Sequence, residues 1–262
     1  ARPGTGRNRS QATGSPPLTG TKQAVPMNRE WKEFLESQSA TVEDPDRVTF
    51  PASPGPHDCV LCDLSHLGLI AVEGPDALDF LQGQLTNDVR ELSDRHSQLN
   101  SACNPKGRML ANFRMFRRGD TFYLQLPHQQ LEPLLKRLGM FVLRSRVKLE
   151  DASDALVRIG VAGDCAPDLL RNTGAEIPPR GDDMASTQDV TLIRIPDALP
   201  RFQLVGPVST IRGLWEQLAA SATVVDGAYW SLRDIRSGIP NLYEATADLF
   251  VPQMANMQLI DG

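Results

Sequence analysis

Two stretches carry the residue types best suited to holding a small molecule. The first is Asn104-Pro105-Lys106-Gly107-Arg108, where an amide, an ammonium and a guanidinium sit in a Pro/Gly turn. Lys106 is a compact cation that suits a carboxylate. The second is Trp230, in a helical stretch running from Ala228 to Ser237. Its indole offers a flat apolar face and one N–H donor. The plainer readings stay open: an exposed turn lysine and a core tryptophan.

Other chemistries find little support. There is no Walker loop, no G-x-S-x-G elbow and no H-E-x-x-H. The histidines at 57, 66, 96 and 128 are scattered, and His128 reads as a surface residue opening a helix. Cys59 and Cys62 form a C-x-x-C beside His57 and His66. A second pair is missing, and Cys103 and Cys165 lack the usual spacing for a zinc or cluster site. Cys59-Val60-Leu61-Cys62 is expected as a strand with buried thiols and no metal. Few, unpaired-looking cysteines fit a reducing cytosol or matrix.

At 262 residues and 40% apolar content the chain can bury a sizeable core. No uncharged apolar run is long enough to span a membrane, and the basic N-terminus lacks a secretory h-region. Arg2, Arg7 and Arg9, with no acid before Glu30, could form a mitochondrial presequence. We read residues 1–26 instead as a disordered tail. The net charge of −5 argues against a broad nucleic-acid surface. Lys136, Arg137, Arg144, Arg146 and Lys148 run the other way. They could meet RNA phosphates or an anionic ligand tail, or simply form a solvated helix edge.

The elements that would position these groups follow from apolar spacing. Asn28 is expected to cap a short helix with Trp31, Phe34 and Leu35 on one face. Residues 40–57, with four prolines, read as a linker. Beyond it the chain repeats itself. Val72, Gly74, Asp79 and Leu81 coincide with Val161, Gly163, Asp168 and Leu170 at a shift of 89 residues. Phe122, Leu124 and Pro127 coincide with Phe202, Leu204 and Pro207 at a shift of 80, as do the helical stripes beginning at Leu131 and Ile211. Each half, about 68–140 and 157–220, reads strand, helix, two strands, helix. Met109 to Phe116 and Phe122 to Leu126 form a hairpin around Arg118-Gly119-Asp120, with both faces covered. The fold class is α+β.

Three ordered segments carry a family resemblance: FLQGQLTNDV with SACNPKGRM between Phe80 and Met109, WSLRDIRSGIP from Trp230, and VPQMANMQLIDG up to Gly262. The region 58–262 resembles the folate-binding YgfZ family, relatives of the glycine-cleavage T-protein (aminomethyltransferase). The resemblance implies two intertwined ferredoxin-like subdomains around a central pocket. It also implies a C-terminal β-barrel and a Lys-Gly-Cys segment, which would follow the Pro252-Gln253 lead-in. Neither occurs before Gly262, so the chain reads as a fragment.

The implied cofactor is tetrahydrofolate or a derivative. The implied site residues are Trp230, Lys106, Arg108 and Asn104. Leu67 stands where the family has a second tryptophan, and Arg236 where relatives carry a glutamate. The transferase's catalytic acid is replaced by Leu110 and Ala111, which cannot carry charge or move a proton, so a conventional enzyme is not expected. The implied role is an accessory protein in iron–sulfur enzyme maturation or repair and in tRNA modification. Its partners would be iron–sulfur client enzymes such as those that modify tRNA, in the bacterial cytoplasm or a mitochondrial matrix. An aminomethyl transferase and an RNA-binding module are the alternatives. Membrane association and direct nucleic-acid binding are not expected.

Overall fold

The computed structural model describes residues 27–55, 58–187 and 189–262. The expected tail, 1–26, and His57 lie outside them. Helix α1 (Arg29–Ser37) starts where the Asn28 side chain accepts a hydrogen bond from the Trp31 amide, and it buries Trp31, Phe34 and Leu35. The proline-bearing stretch is more than a linker. Strands β1 (Thr41–Asp44) and β2 (Arg47–Thr49) form a hairpin that pairs Val42 with Val48. Phe50, just after it, reaches the Trp215 ring at 5.9 Å and anchors this arm on the core.

The chain then weaves between two sheets. β3 (Val60–Asp63) enters one sheet, and the chain crosses to build the other. That sheet is made by β4 (Leu67–Glu73), α2 (Ala77–Gln82), β5 (Gln98–Cys103), β6 (Met109–Arg118), β7 (Thr121–Pro127), α3 (Leu131–Gly139) and β8 (Lys148–Asp151), in strand order β5-β6-β7-β4-β8. The chain returns through β9 (Val157–Ala162), α4 (Ala166–Asn172), β10 (Met184–Ser186), β11 (Thr191–Arg194), β12 (Arg201–Gly206), α5 (Val208–Ala219) and β13 (Thr223–Val225). The second sheet runs β10-β11-β12-β9-β3-β13, with only β3 and β13 parallel. Helix α6 (Gly227–Arg236) follows. The result is an α+β pair of intertwined ferredoxin-like sheets, and the described residues close no barrel.

Each half carries three strands between its helices, one more than the apolar pattern suggests. The additional strands, β5 and β10, are respectively polar (Gln98, Asn100, Ser101) and three residues long, so neither has a legible alternation. The halves share register. Val72 lies opposite Phe122 and Ile70 opposite Leu124; Val161 lies opposite Phe202 and Ile159 opposite Leu204. β8 flanks β4 as β3 flanks β9. Gly74 (φ +120°) and Gly163 (φ +125°) close the two equivalent strands. A Cβ on Gly74 would meet the Arg146 carbonyl oxygen at 2.1 Å, and one on Gly163 the Asp58 carbonyl oxygen at 2.9 Å.

Three apolar cores result. One lies between the first sheet and α2 and α3, a second between the other sheet and α1, α4 and α5, and a third between the two sheets and under α6.

The cysteines differ from expectation. Cys59 is bonded to Cys165, with Cα atoms 5.9 Å apart, while Cys62 is a buried free thiol. The two partners are 106 residues apart in sequence and meet because β3 pairs with β9. The cysteine content therefore no longer speaks for a reducing compartment. The basic cluster is largely an internally paired edge. Lys136 meets Glu132 at 2.6 Å, Arg146 meets Asp76 at 2.9 Å, Lys148 meets Glu150 at 2.6 Å, and Arg137 lies over the Phe141 ring.

Gly74→Ala and Gly163→Ala are expected to lower unfolding free energy in urea titrations by ~1–3 kcal/mol each, from positive φ plus backbone collision. Gly119→Ala, at φ +59° with open space around the added Cβ, is expected to cost less.

Candidate functional site

Strand parity builds the site. Ala111, Phe113 and Met115 of β6 belong to the helix-side core, whereas Phe116 belongs to the core between the sheets. Asn112 and Arg114 share the parity of Phe116. On β7 the same alternation leaves Gln125 inward, and on β12 it leaves Arg201 and Gln203 inward. The inward layer is thus unusually polar for a buried one. Gln125 and Gln203 bridge the two sheets, Gln125 Nε2 donating to Gln203 Oε1 at 2.9 Å.

Charged groups complete the layer. Arg201, fully buried, donates from Nη1 to Asp234 Oδ1 at 2.7 Å, and its Nε lies 3.2 Å from Asp197 Oδ2 as an ion pair without hydrogen-bond alignment. Arg233 donates through Nε to Asp197 Oδ2 at 3.0 Å and pairs with the same carboxylate through Nη2. Asn241 Nδ2 donates to Asp234 Oδ2 at 3.0 Å. Arg114 pairs with Asp182 and donates from Nη1 to Ser97 Oγ at 3.0 Å, but its Nη2 has no partner.

Burial pushes the Asp234 carboxyl up and the Arg201 guanidinium down. For Asp197 burial acts upward, yet hydrogen bonds from Arg233 and the Leu199 amide, with both guanidinium charges, hold it below the usual range. Breaking one partner out of such a buried pair typically costs ~3–5 kcal/mol.

A cavity of about 40 Å³ lies within this layer. Leu67, Leu99, Trp230 and Ile239 give it apolar walls; Arg114 and Asp234 give it polar ones. The strap 238–243 seals it. Asn112 holds this strap at both ends of its amide, Nδ2 donating to the Pro240 carbonyl at 2.6 Å and Oδ1 accepting from the Leu242 amide at 2.8 Å. Beyond the strap is a surface groove of about 280 Å³, and Ile239, Pro240 and Asn241 line both spaces.

The sequence-derived residues divide. Leu67 and Trp230 line the cavity. Trp230 is a core residue there, packed on Gly160, where a Cβ would come within 2.4 Å of its ring, and carrying the Arg201 guanidinium 4.7 Å from the ring centroid. That guanidinium occupies ground a stacked ligand would need. Asn104, Lys106 and Arg108 are not on the cavity. Asn104 donates to Asp248 and Arg108 to the Leu249 carbonyl, clasping that segment to the end of β6; Lys106 stands exposed at the turn. Arg236 is exposed on α6. Asn112, Arg114, Arg201 and Asp234 belong to the layer without matching any motif in the sequence. The visible signal was a polar residue at every second position of strands whose other face is apolar.

A second cavity, about 320 Å³, opens between the β1–β2 hairpin and the start of α6, with Asp46, Asp63, His66 and Asp226 in its wall. Burial raises Asp63, against hydrogen bonds from Trp31 Nε1 and Ser65. Burial, with the Arg158 charge, lowers His66 to about 4. Gly227 leaves room for that ring, since a Cβ would lie 2.6 Å from His66 Nδ1. Among the described residues no group of three or more His, Cys, Asp or Glu side chains could hold a metal ion.

Similarity to known proteins fits this architecture. Residues 56–184 match the GCVT N-terminal domain. The chain is 30% identical over 213 residues to the tRNA-modifying protein YgfZ of Photorhabdus laumondii, covering 81% of this chain and 64% of that protein. It is 31% identical over 202 residues to the tRNA-modifying protein YgfZ of Shigella boydii, covering 77% and 62%. The resemblance to YgfZ proteins therefore extends over most of the chain. The chain in turn spans a little over three fifths of these relatives' lengths. In fold it is similar to the glycine cleavage system aminomethyltransferase T from Bartonella henselae, with a TM-score of 0.63 at 21% identity, covering 74% of this chain and 57% of that one. No helix among the described residues is long and apolar enough to cross a membrane.

The His66 shift has a sign. Its folded value lies below the ordinary 6.5, so the unfolded chain binds the proton first and stability falls as pH drops from about 6.5 towards about 4. Urea titrations of wild type and His66→Gln across that window are expected to diverge, the variant losing less. Asp63, raised by burial, acts in the opposite sense at the acid end in both proteins.

Proposed function

We propose that this chain forms the folate-binding part of a YgfZ-type accessory protein that supports iron–sulfur enzymes, including those that modify tRNA. The observation that carries the reading is the inter-sheet cavity, which is bordered by apolar walls at Leu67, Leu99 and Trp230 and by Arg114, a buried guanidinium with one unpartnered nitrogen. This lies in a fold similar to the T-protein, in a chain similar to proteins named tRNA-modifying. The cavity chemistry suits a pterin: apolar faces, one donor, one carboxylate. Its volume does not, because about 40 Å³ takes one water-sized group. Entry therefore requires displacement of Ile239-Pro240-Asn241, which would join the cavity to the outer groove.

In this reading Trp230 is a wall rather than a stacking platform. Lys106, beyond the cavity, is left as a contact for an anionic tail only if the ligand extends along β6. The transferase alternative lacks its acid: Ala111 is buried in the helix-side core, and Leu110 beside it is equally uncharged. The RNA-binding alternative loses most of its basic cluster to internal ion pairs.

Calorimetric titration of the full-length protein with tetrahydrofolate tests the reading. Binding is expected for wild type, and Trp230→Ala, which removes an apolar wall of the cavity, is expected to weaken it at least ~10-fold, about 1.4 kcal/mol. Absence of binding by wild type would sink the folate reading. For the client role, a strain lacking the gene is expected to lose activity of iron–sulfur enzymes that modify tRNA, with recovery on restoring it; unchanged activities would remove that role.

A further inference from the structure

We infer that the central cavity reads the amide edge of a planar ring, an N–H beside a C=O, with Arg114 and Asp234 as its two partners. This assignment rests on the folate reading and names residues that the family resemblance did not supply.

Arg114 carries the argument. It is 6% exposed, it lines the cavity, and its Nη1 is engaged by Asp182 and Ser97 while Nη2 has no partner. A buried guanidinium N–H left without an acceptor is unfavourable, and such groups are rare unless a water or ligand satisfies them. The position therefore asks for an acceptor oxygen. Asp234 lines the same cavity from α6. Its Oδ1 accepts from Arg201 and its Oδ2 from Asn241. A carboxylate has about four lone-pair sites, so each oxygen can accept one more N–H. Arg114 on β6 and Asp234 on α6 thus border the same space from the two sides.

A donor and an acceptor bordering one apolar-walled space are complementary to a lactam edge. The family resemblance put a ring-gripping acid at position 236, held here by Arg236, which is exposed. Asp234 stands two residues earlier, about 200° around the helix. It is the carboxylate that α6 turns toward the cavity.

The test compares tetrahydrofolate with its 4-amino analogue, tetrahydroaminopterin, on the full-length protein by calorimetry. The two differ where the ring oxo acceptor becomes an amino donor. Wild type is expected to prefer tetrahydrofolate by roughly ten- to a hundredfold, the range of one charge-assisted hydrogen bond. Arg114→Lys keeps a cation for Asp182 but loses the second nitrogen, and is expected to bring the preference close to unity. Asp234→Asn is expected to weaken tetrahydrofolate binding. Near-UV circular dichroism checks that the variants keep the native fold. Equal wild-type affinities for the two compounds overturn the assignment and leave the folate reading standing, and this arm needs no variant to fold. A preference retained by Arg114→Lys also overturns it. If wild type binds neither pteridine, the folate reading falls and this assignment with it.

Discussion

Arg201 is the group on which the inner architecture depends. A guanidinium with no solvent exposure must be paired, and Asp197 and Asp234 pair it from two directions. Asp234 lies on α6, so the ion pair fixes that helix over the sheet that contains β12. Asp197 also holds Arg233, which ties a second residue of α6 to the loop before β12. Trp230, one helical turn before Asp234, is then pressed onto Gly160. The same carboxylate that neutralises Arg201 also accepts from Asn241 and so helps to seat the strap. One buried charge thereby links the sheet, the helix, the tryptophan and the cover of the cavity.

The two interwoven halves explain why so polar a layer can be buried at all. Each sheet has its own helix-side core, and those cores are almost wholly apolar. The inward faces are free to carry Asn112, Arg114, Gln125 and Gln203 because stability does not rest on them alone. β3 belongs to one sheet and β4 to the other, so the chain cannot separate the halves without breaking strand pairing. The glycines that end β4 and β9 permit this crossing, since backbone from the flanking strand passes where a Cβ would be.

The site that results is suited to recognition. Most of its polar atoms are engaged in fixed pairs, with Nη2 of Arg114 left without a partner. What the cavity does offer is apolar surface and a small number of directed hydrogen bonds, in a space of about 40 Å³ that the strap keeps closed. The strap that covers it is held mainly by Asn112, so access and recognition meet on neighbouring residues of β6.

Local pattern was enough to determine several things. Asn28 as a cap, the buried face of α1, the β6–β7 hairpin and the matched positions of the two halves follow from spacing and side-chain type, because helix and strand periods act over a few residues. The segments around Asn104 and Trp230 likewise pointed to a T-protein-like fold. Tertiary structure decided the rest. The β1–β2 arm is ordered by burial of Val48 and by the packing of Phe50 against Trp215, a contact across more than 160 residues. Cys59 finds Cys165 only because β3 crosses into the second sheet. Asn104 and Arg108 looked like pocket residues, but the chain folds Asp248 and Leu249 back onto them. Arg114 and Asp234 became site candidates only once strand parity and the Arg201 ion pair had placed both on the same cavity. Which partners meet across two sheets is set by packing and by the desolvation of charge, and neither leaves a local mark in the sequence.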